Sequence, residues 1–218
     1  MHWLINSTIG RKFVMSISGL FLILFLIFHM SMNLVLVFSP AGYDMVTEFL
    51  GANWYAIAGT LVLAAGFIVH IVYASILTLQ NQKARGKNKY AVTNTKDASW
   101  SSKNMYVLGF VILAFLVLHM IQFWYQMQFK ELMGMDLAYT SSAQFVIDVF
   151  KDPLYVVVYL VAFVALWFHL THGFWSALHS VGWNNPIWMP RLKTASYVIA
   201  TIICAGFAII PLFIYICY

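Results

Sequence analysis

The sequence predicts an all-α membrane protein whose five helices cross the bilayer as an antiparallel bundle. Of its 218 residues, 62% are hydrophobic and only 9% are charged, a composition too apolar for a soluble domain. A helix needs about 20 apolar residues to cross about 30 Å of hydrocarbon. Five runs meet this length, at about 13–38, 53–80, 104–128, 153–180 and 194–217. No repeat or linker separates them, so 1–218 is predicted to form a single domain.

The first run follows Arg11 and Lys12 and ends near Ser39 and Pro40. It is too long for a signal-peptide core and lacks a small-residue cleavage site, so we interpret it as a retained span. The segment "AGYDMVTEFLGAN" comes next and predicts one or two amphipathic turns. Trp54 and Tyr55 then open the second span at the membrane interface.

The second and third spans are joined by the lysine-rich loop "NQKARGKNKYAVTNTKDASWSSK". Such a loop sets topology, and it also offers a surface for a cytoplasmic partner. The sequence predicts an interfacial helix before the fourth span. The hydroxyl residues 140–142 would cap its start, and its apolar face would contain Phe145, Val146, Val149 and Phe150. The fifth span holds both cysteines, Cys204 and Cys217, in no haem-attachment or zinc pattern, so they are predicted to pack or face lipid.

Charge separates onto the two sides of this arrangement. Six of the seven acids lie on one side: Asp44, Glu48, Glu131, Asp136, Asp148 and Asp152. Only two basic residues accompany them, Lys130 and Lys151, and the other ten lie on the opposite side: Arg11, Lys12, Lys83, Arg85, Lys87, Lys89, Lys96, Lys103, Arg191 and Lys193. The positive-inside rule places the N-terminus in the cytoplasm and the C-terminus outside, and it explains the net charge of +5 without a nucleic-acid partner.

Histidines are the chemically informative residues. His2 lies in the polar N-terminal segment, whereas His29, His70, His119 and His169 each lie inside a different one of the first four spans. One histidine in a membrane helix is usually a hydrogen-bonded packing residue. Four in four different helices indicate a shared site.

Helical depth sorts these four histidines into two levels. At 1.5 Å per residue, His29 lies roughly 24 Å from the inner end of its span and His119 roughly 22 Å. The spans of His70 and His169 run in the opposite direction, which places these residues about 15 Å and about 16 Å from the inner end. Depth therefore predicts an outer pair, His29 with His119, and an inner pair, His70 with His169.

Two imidazoles facing each other in an apolar bundle suit a b-type haem, whose iron takes one axial nitrogen on each face. An iron with both axial positions filled carries electrons and has no open position for a substrate. A zinc or manganese site would need carboxylates at the same level, and these spans contain almost none.

Several further residues are candidates at the inner rim. His172 lies nearly on the face of His169, so spacing leaves open which of the two is the axial ligand. His179 fits a propionate partner, a proton-handling group or an interfacial residue. Propionates need cations, for which the candidates are Arg11, Lys103, Arg191 and Lys193, although basic residues here also anchor topology. Five small residues allow close approach of helices or porphyrin: Ser16, Ser18, Gly19, Gly59 and Gly66.

These residues stand within motifs that resemble a known family. The motifs are "RKFVMSISGL", "FHMSMN", "VHIVYAS", "LVLHMIQFW" and "FHLTHGFWSALHSVGW". From about residue 8 onward, the chain resembles the single-subunit, five-helix, two-haem cytochrome b anchor of succinate:quinone oxidoreductases, which include the quinol:fumarate reductases.

The resemblance implies an inner haem b held by His70 and His169, an outer haem b held by His29 and His119, and His172 as a neighbour of the ligand. It also implies two partners on the cytoplasmic face of a bacterial inner membrane, a flavoprotein that converts succinate or fumarate and an iron–sulfur protein. This chain would contribute anchoring in lipid, haem binding and quinone chemistry, and a dimer of such complexes is left open.

A second haem at the outer level predicts that a quinone of the menaquinone type reacts there. Asp44 and Glu48 are then candidates for proton handling, although loop acids are usually just solvated.

Two other classes of membrane protein stay open. One is a di-haem anchor of another respiratory complex, of the nitrate reductase or hydrogenase type, and the other is a haem-free transporter with a histidine proton relay, which would be expected to show broken helices or intramembrane carboxylates.

Overall fold

The computed structural model describes residues 7–51, 53–85 and 99–218, and every element in these ranges is helical. Five helical stretches are long and apolar enough to cross a membrane: Thr8–Phe38, Trp54–Ala84, Met105–Leu132, Pro153–Ser180 and Trp188–Cys217. The predicted number and position of the five spans are therefore confirmed by length and composition.

Nine α-helices and one π-helical segment make up the described part of the chain. In order they are α1 (Thr8–Phe38), α2 (Pro40–Phe49), α3 (Trp54–Arg85), α4 (Trp100–Lys103), α5 (Met105–His119), the π-helical segment Met120–Phe129, α6 (Lys130–Leu132), α7 (Ser142–Phe150), α8 (Pro153–Ser180) and α9 (Trp188–Cys217).

Four of the five long helical stretches extend beyond the apolar runs, and the third of them ends at Leu132 rather than 128. The first helix begins at Thr8 rather than 13 because the Ser7 side chain accepts a hydrogen bond from the Gly10 amide at 2.9 Å and caps it. Similarly, α3 continues to Arg85 rather than 80, and α9 begins at Trp188 rather than 194. An apolar run marks the hydrocarbon-facing part of a helix, while caps and turns set its ends. Most of the lysine-rich loop, and His2, lie outside the described residues.

The two short helices at the acidic side are capped by serines. Ser39 accepts from the Gly42 amide at 3.0 Å at the start of α2, where Pro40 takes a first-turn position. Ser141 accepts from the Gln144 amide at 3.2 Å at the start of α7. The helix predicted behind residues 140–142 is thus present, and it buries Ala143, Val146, Ile147 and Phe150.

The long helices pack in an uneven pattern. The last two, α8 and α9, share the most extensive contact, and α1 packs against α3, α8 and α9. Helix α5 packs on α8 and touches α3 only slightly. Most of the buried apolar core belongs to α1, α7, α8 and α9, and the transmembrane part of α3 buries no residue completely. Both α3 and α5 therefore contribute little to the buried core.

Candidate haem site

The four intramembrane histidines lie in two pairs. The ring centroids of His29 and His119 are 5.8 Å apart, and those of His70 and His169 are 6.3 Å apart. We call these the 29/119 pair and the 70/169 pair. The structure therefore brings together the same partners that helical depth predicts, while their role as haem ligands stays a prediction.

The separation within each pair suits two ligands of one metal. With a metal–imidazole nitrogen bond of about 2 Å, two imidazoles on opposite sides of one ion have ring centroids roughly 6 Å apart. Both observed separations are close to this value. Each pair therefore fits the two axial positions of a haem iron.

The helices that carry each pair scarcely touch each other. Helices α1 and α5, which carry the 29/119 pair, have almost no close backbone contact, and the same is true of α3 and α8, which carry the 70/169 pair. Packed helices lie about 8–10 Å apart, so each pair spans a wider gap. All four histidines are only half-buried although they lie well inside their spans. Such a gap suits a flat macrocycle.

Aromatic rings surround the 29/119 pair. Phe25 stacks on His29 at 5.2 Å, and Phe207 lies 5.8 Å from the same ring. Phe115 and Phe123 lie 5.9 Å and 5.4 Å from His119. An apolar environment of this kind excludes water from the site and suits a porphyrin.

A hydrogen-bonded relay ends at His119. The Tyr159 hydroxyl lies 3.3 Å from Nδ1 of His119 and donates to Oε1 of Gln122 at 2.8 Å. Tyr159 is buried, with 3% of its surface exposed, among Phe115, Phe150 and Phe163. We call His119, Tyr159 and Gln122 the Tyr159 relay. Because the Tyr159 hydroxyl lies at Nδ1 of His119, Nε2 is the nitrogen that is available to a metal.

The partner histidine has its own polar neighbours. Asn33 donates from Nδ2 to the His29 carbonyl at 2.8 Å, and the same nitrogen lies 3.4 Å from Nδ1 of His29. The buried Tyr43 hydroxyl donates to Oδ1 of Asn33 at 3.4 Å. Burial raises the pKa of Tyr43, and the neighbouring Asp44 adds to this effect. Tyr43 therefore remains a protonated donor at neutral pH.

The 70/169 pair is held differently. Oγ of Ser18 lies 3.4 Å from Nδ1 of His70, and a Cβ at Gly19 would lie 3.3 Å from Cε1 of the same ring. Nδ1 of His169 is buried and has no hydrogen-bond partner among the described residues. A buried ring nitrogen without a partner is costly in an apolar bundle.

The candidates near the amino end of α9 form a third cluster. The ring of His172 packs edge-on against Trp175 at 5.0 Å, and Nζ of Lys193 lies 5.1 Å above Trp175. The buried Nδ1 of His172 also lacks a partner in the described part of the chain. Arg11 is half-buried in the first turns of α1, and His179 is exposed near the end of α8. The structure thus brings His172 and Lys193 to the same aromatic ring.

The two loop acids differ in their contacts. Both carboxylate oxygens of Asp44 accept from the Ser141 hydroxyl, at 3.1 and 2.8 Å, and Oδ1 also accepts from the Ala143 amide at 2.8 Å. Asp44 therefore caps α7 and joins it to α2. Glu48 is exposed on α2. Proton handling by these two acids stays a prediction.

An apolar groove lies between α1 and α2. Its volume is about 380 Å³, and its lining includes Phe28, Met32, Met45 and Phe49. Phe28 and Met32 belong to the same helix as His29, and neither His29 nor His119 lines the groove. This volume is within the range of small-molecule sites.

Sequence reasoning did not select Tyr159 and Gln122 as site residues. A tyrosine on an apolar span is usually part of the packing, and Gln122 is one of three glutamines in 120–129. The signal was their polarity within a span whose other residues are mainly apolar. In the residues that the structure describes, no group of three His, Cys, Asp or Glu side chains converges as a metal site.

Comparisons with known proteins gave no assignment. No protein-family model matches the sequence, no curated protein matches it, and no solved structure matches the fold.

Proposed function

We propose that this chain is the di-haem cytochrome b anchor of a succinate:quinone oxidoreductase, and that it carries electrons between an iron–sulfur partner and membrane quinone. One observation carries the proposal. Two histidine pairs stand at two levels of the bundle, each with its rings about 6 Å apart across helices that do not pack together.

The residues of each pair would supply the axial nitrogens of one haem b. When bound, each haem contributes reversible one-electron transfer. His29 and His119 would hold the outer haem, and His70 and His169 the inner haem. The neighbouring side chains orient the imidazoles, and the aromatic rings around the 29/119 pair keep water away from it. Arg11, His172 and Lys193 would serve the propionates of the inner haem.

The distribution of charge supports an orientation. Arg11, Lys12, Lys103, Arg191 and Lys193 belong to the helix ends proposed to face the cytoplasm of a bacterial inner membrane. The iron–sulfur and flavoprotein partners would dock on that side, which is the side nearer to His70 and His169. The spans would then run antiparallel, with the C-terminus outside.

The groove between α1 and α2 supports a quinone site at the outer level. Its apolar lining suits a quinone of the menaquinone type, and one wall of the groove is α1, the helix that carries His29. Asp44 and Glu48 lie on α2, the helix that forms the other wall of this groove, and would exchange protons with the outside.

A haem count tests the proposal. The purified wild-type protein is expected to contain two b haems per chain by the pyridine haemochrome assay, with a reduced-minus-oxidised spectrum of b type. His119→Ala and His70→Ala are each expected to retain about one, because each removes an axial ligand from a different pair. His179→Ala is the matched control and keeps two, since His179 is exposed at the end of its helix.

The outcomes separate the candidate classes. A wild-type protein without haem contradicts the proposal and favours a haem-free transporter. Two haems with a nitrate-reducing or hydrogen-oxidising partner, identified by co-purification from the native membrane, would instead assign the chain to another respiratory complex.

A further inference from the structure

We infer that Tyr159 is a positioning residue for the outer haem, because its relay holds His119 in the tautomer that binds iron and lowers the reduction potential at that haem. This inference rests on the proposed function. It concerns the hydroxyl of Tyr159, which does not itself contact the iron.

The direction of each hydrogen bond in the relay follows from its chemistry. Gln122 Oε1 can only accept, so the 2.8 Å contact must carry the proton of the Tyr159 hydroxyl. The phenol oxygen is then left as an acceptor toward His119, 3.3 Å away. His119 Nδ1 must therefore hold a proton, and Nε2 has the free electron pair that a metal ligand needs.

A hydrogen bond donated by Nδ1 also changes the ligand itself. It makes the imidazole a stronger electron donor, which stabilises ferric over ferrous iron and lowers the potential. The histidines differ in this respect, and in the inner pair Nδ1 of His70 lies 3.4 Å from the hydroxyl oxygen of Ser18. Nδ1 of His119 has a buried acceptor, whereas Nδ1 of His169 has no partner in the described residues.

The local fold positions both ends of the relay. His119 is the last residue of α5, and Gln122 lies three residues further, in the π-helical segment. Both side chains contact the hydroxyl of Tyr159 on α8. Phe115, Phe123 and Phe150 pack around the tyrosine ring and fix its position. A phenylalanine at 159 would retain this packing and remove only the hydroxyl.

The test is a potentiometric titration of the two haems in Tyr159→Phe, in the assembled complex if the partners co-purify. His119→Ala is expected to lose the outer haem, so the optical and low-temperature EPR signals that are missing in this variant belong to that haem. We expect Tyr159→Phe to raise the reduction potential of the outer haem. At a fixed applied potential, the oxidised-to-reduced ratio of this haem should fall about tenfold, which corresponds to a shift of 59 mV for a one-electron couple. Gln122→Leu is expected to shift it in the same direction by less.

Tyr155→Phe is the matched control, because Tyr155 lies one turn earlier on α8 and is half-buried. It should leave both potentials unchanged. Selective loss of the outer haem in Tyr159→Phe, with both haems kept in Tyr155→Phe, also supports the relay. The inference is overturned if Tyr159→Phe contains two haems with wild-type potentials and EPR signals, or if Tyr155→Phe shifts them equally. A wild-type chain without haem refutes the proposed function instead.

Discussion

Ser18 and Gly19 show how single small residues shape the space around a histidine. Ser18 is buried and reaches Nδ1 of His70, and Gly19 leaves room for the same ring. The sequence predicts close approach at these positions, and the contacts confirm it. Gly59 differs, because a Cβ there would meet no described residue within 4 Å. The same residue type therefore has a packing role at one position of the bundle and none at another.

The glycines of α3 give a matched pair of substitutions. A Cβ at Gly66 would lie 2.6 Å from Cε1 and 2.9 Å from Cδ1 of Phe21, so Gly66→Ala must displace that ring. We expect it to lower the free energy of unfolding by about 1–3 kcal/mol. Gly59→Ala should raise the same quantity by about 0.5–1 kcal/mol, because alanine loses less conformational freedom in a helix. Unfolding midpoints in detergent check both, and equal midpoints would contradict the packing described for α1 and α3.

At the scale of elements, Asp44 joins two short helices. Its carboxylate accepts from the hydroxyl of Ser141 and the amide of Ala143, so a side chain of α2 supports the first turn of α7. A carboxylate is favoured at this end of a helix by the helix dipole. This contact gives Asp44 a structural role next to its proposed proton-handling role.

Two substitutions of Asp44 separate these roles. Asp44→Ala removes the cap and should lower the free energy of unfolding by about 0.5–2 kcal/mol, whereas Asp44→Asn keeps an acceptor oxygen and should cost much less. The measurement is thermal unfolding of the detergent-solubilised protein. Glu48→Gln should leave the unfolding midpoint unchanged, since Glu48 is exposed.

Quinone turnover in the assembled complex then tests proton handling. If a carboxylate at 44 or 48 exchanges protons, the double variant Asp44→Asn with Glu48→Gln should lower turnover while retaining stability and both haems. Wild-type turnover in this double variant would show that neither acid is needed.

At the scale of the whole molecule, the two histidine levels acquire a direction only through the orientation of the chain. The proposed orientation turns the inner pair toward the cytoplasmic partners, and it turns the outer pair and the groove between α1 and α2 toward the outside. Reversing the orientation would place the same groove on the cytoplasmic side, and an outer quinone site would no longer follow.

The native cysteines report this orientation. Cys217 is exposed at the end of α9, and Cys204 is buried and lies about 20 Å deeper at 1.5 Å per residue. A membrane-impermeant maleimide is expected to label Cys217 in intact spheroplasts, and Cys217→Ser should abolish the labelling while Cys204→Ser does not. Labelling that requires lysis of the spheroplasts would indicate the opposite orientation.

The sequence by itself determined the features that depend on neighbours along the chain. Long apolar runs located the five spans, the hydroxyl residues 140–142 located the start of α7, and the helical rise sorted the four histidines by depth. These are local properties, because hydrophobic length and periodicity are read directly from consecutive residues.

The tertiary structure alone decided how side chains meet across helices. Hydropathy contains no information on helix rotation, so it could not show that Tyr159 contacts both His119 and Gln122. Nor could it show that Nδ1 of His169 lacks a partner among the described residues. It also could not show that Asp44 caps α7, or that 120–129 widens into a π-helix. These contacts depend on the relative rotation and spacing of helices, which packing over the whole bundle fixes.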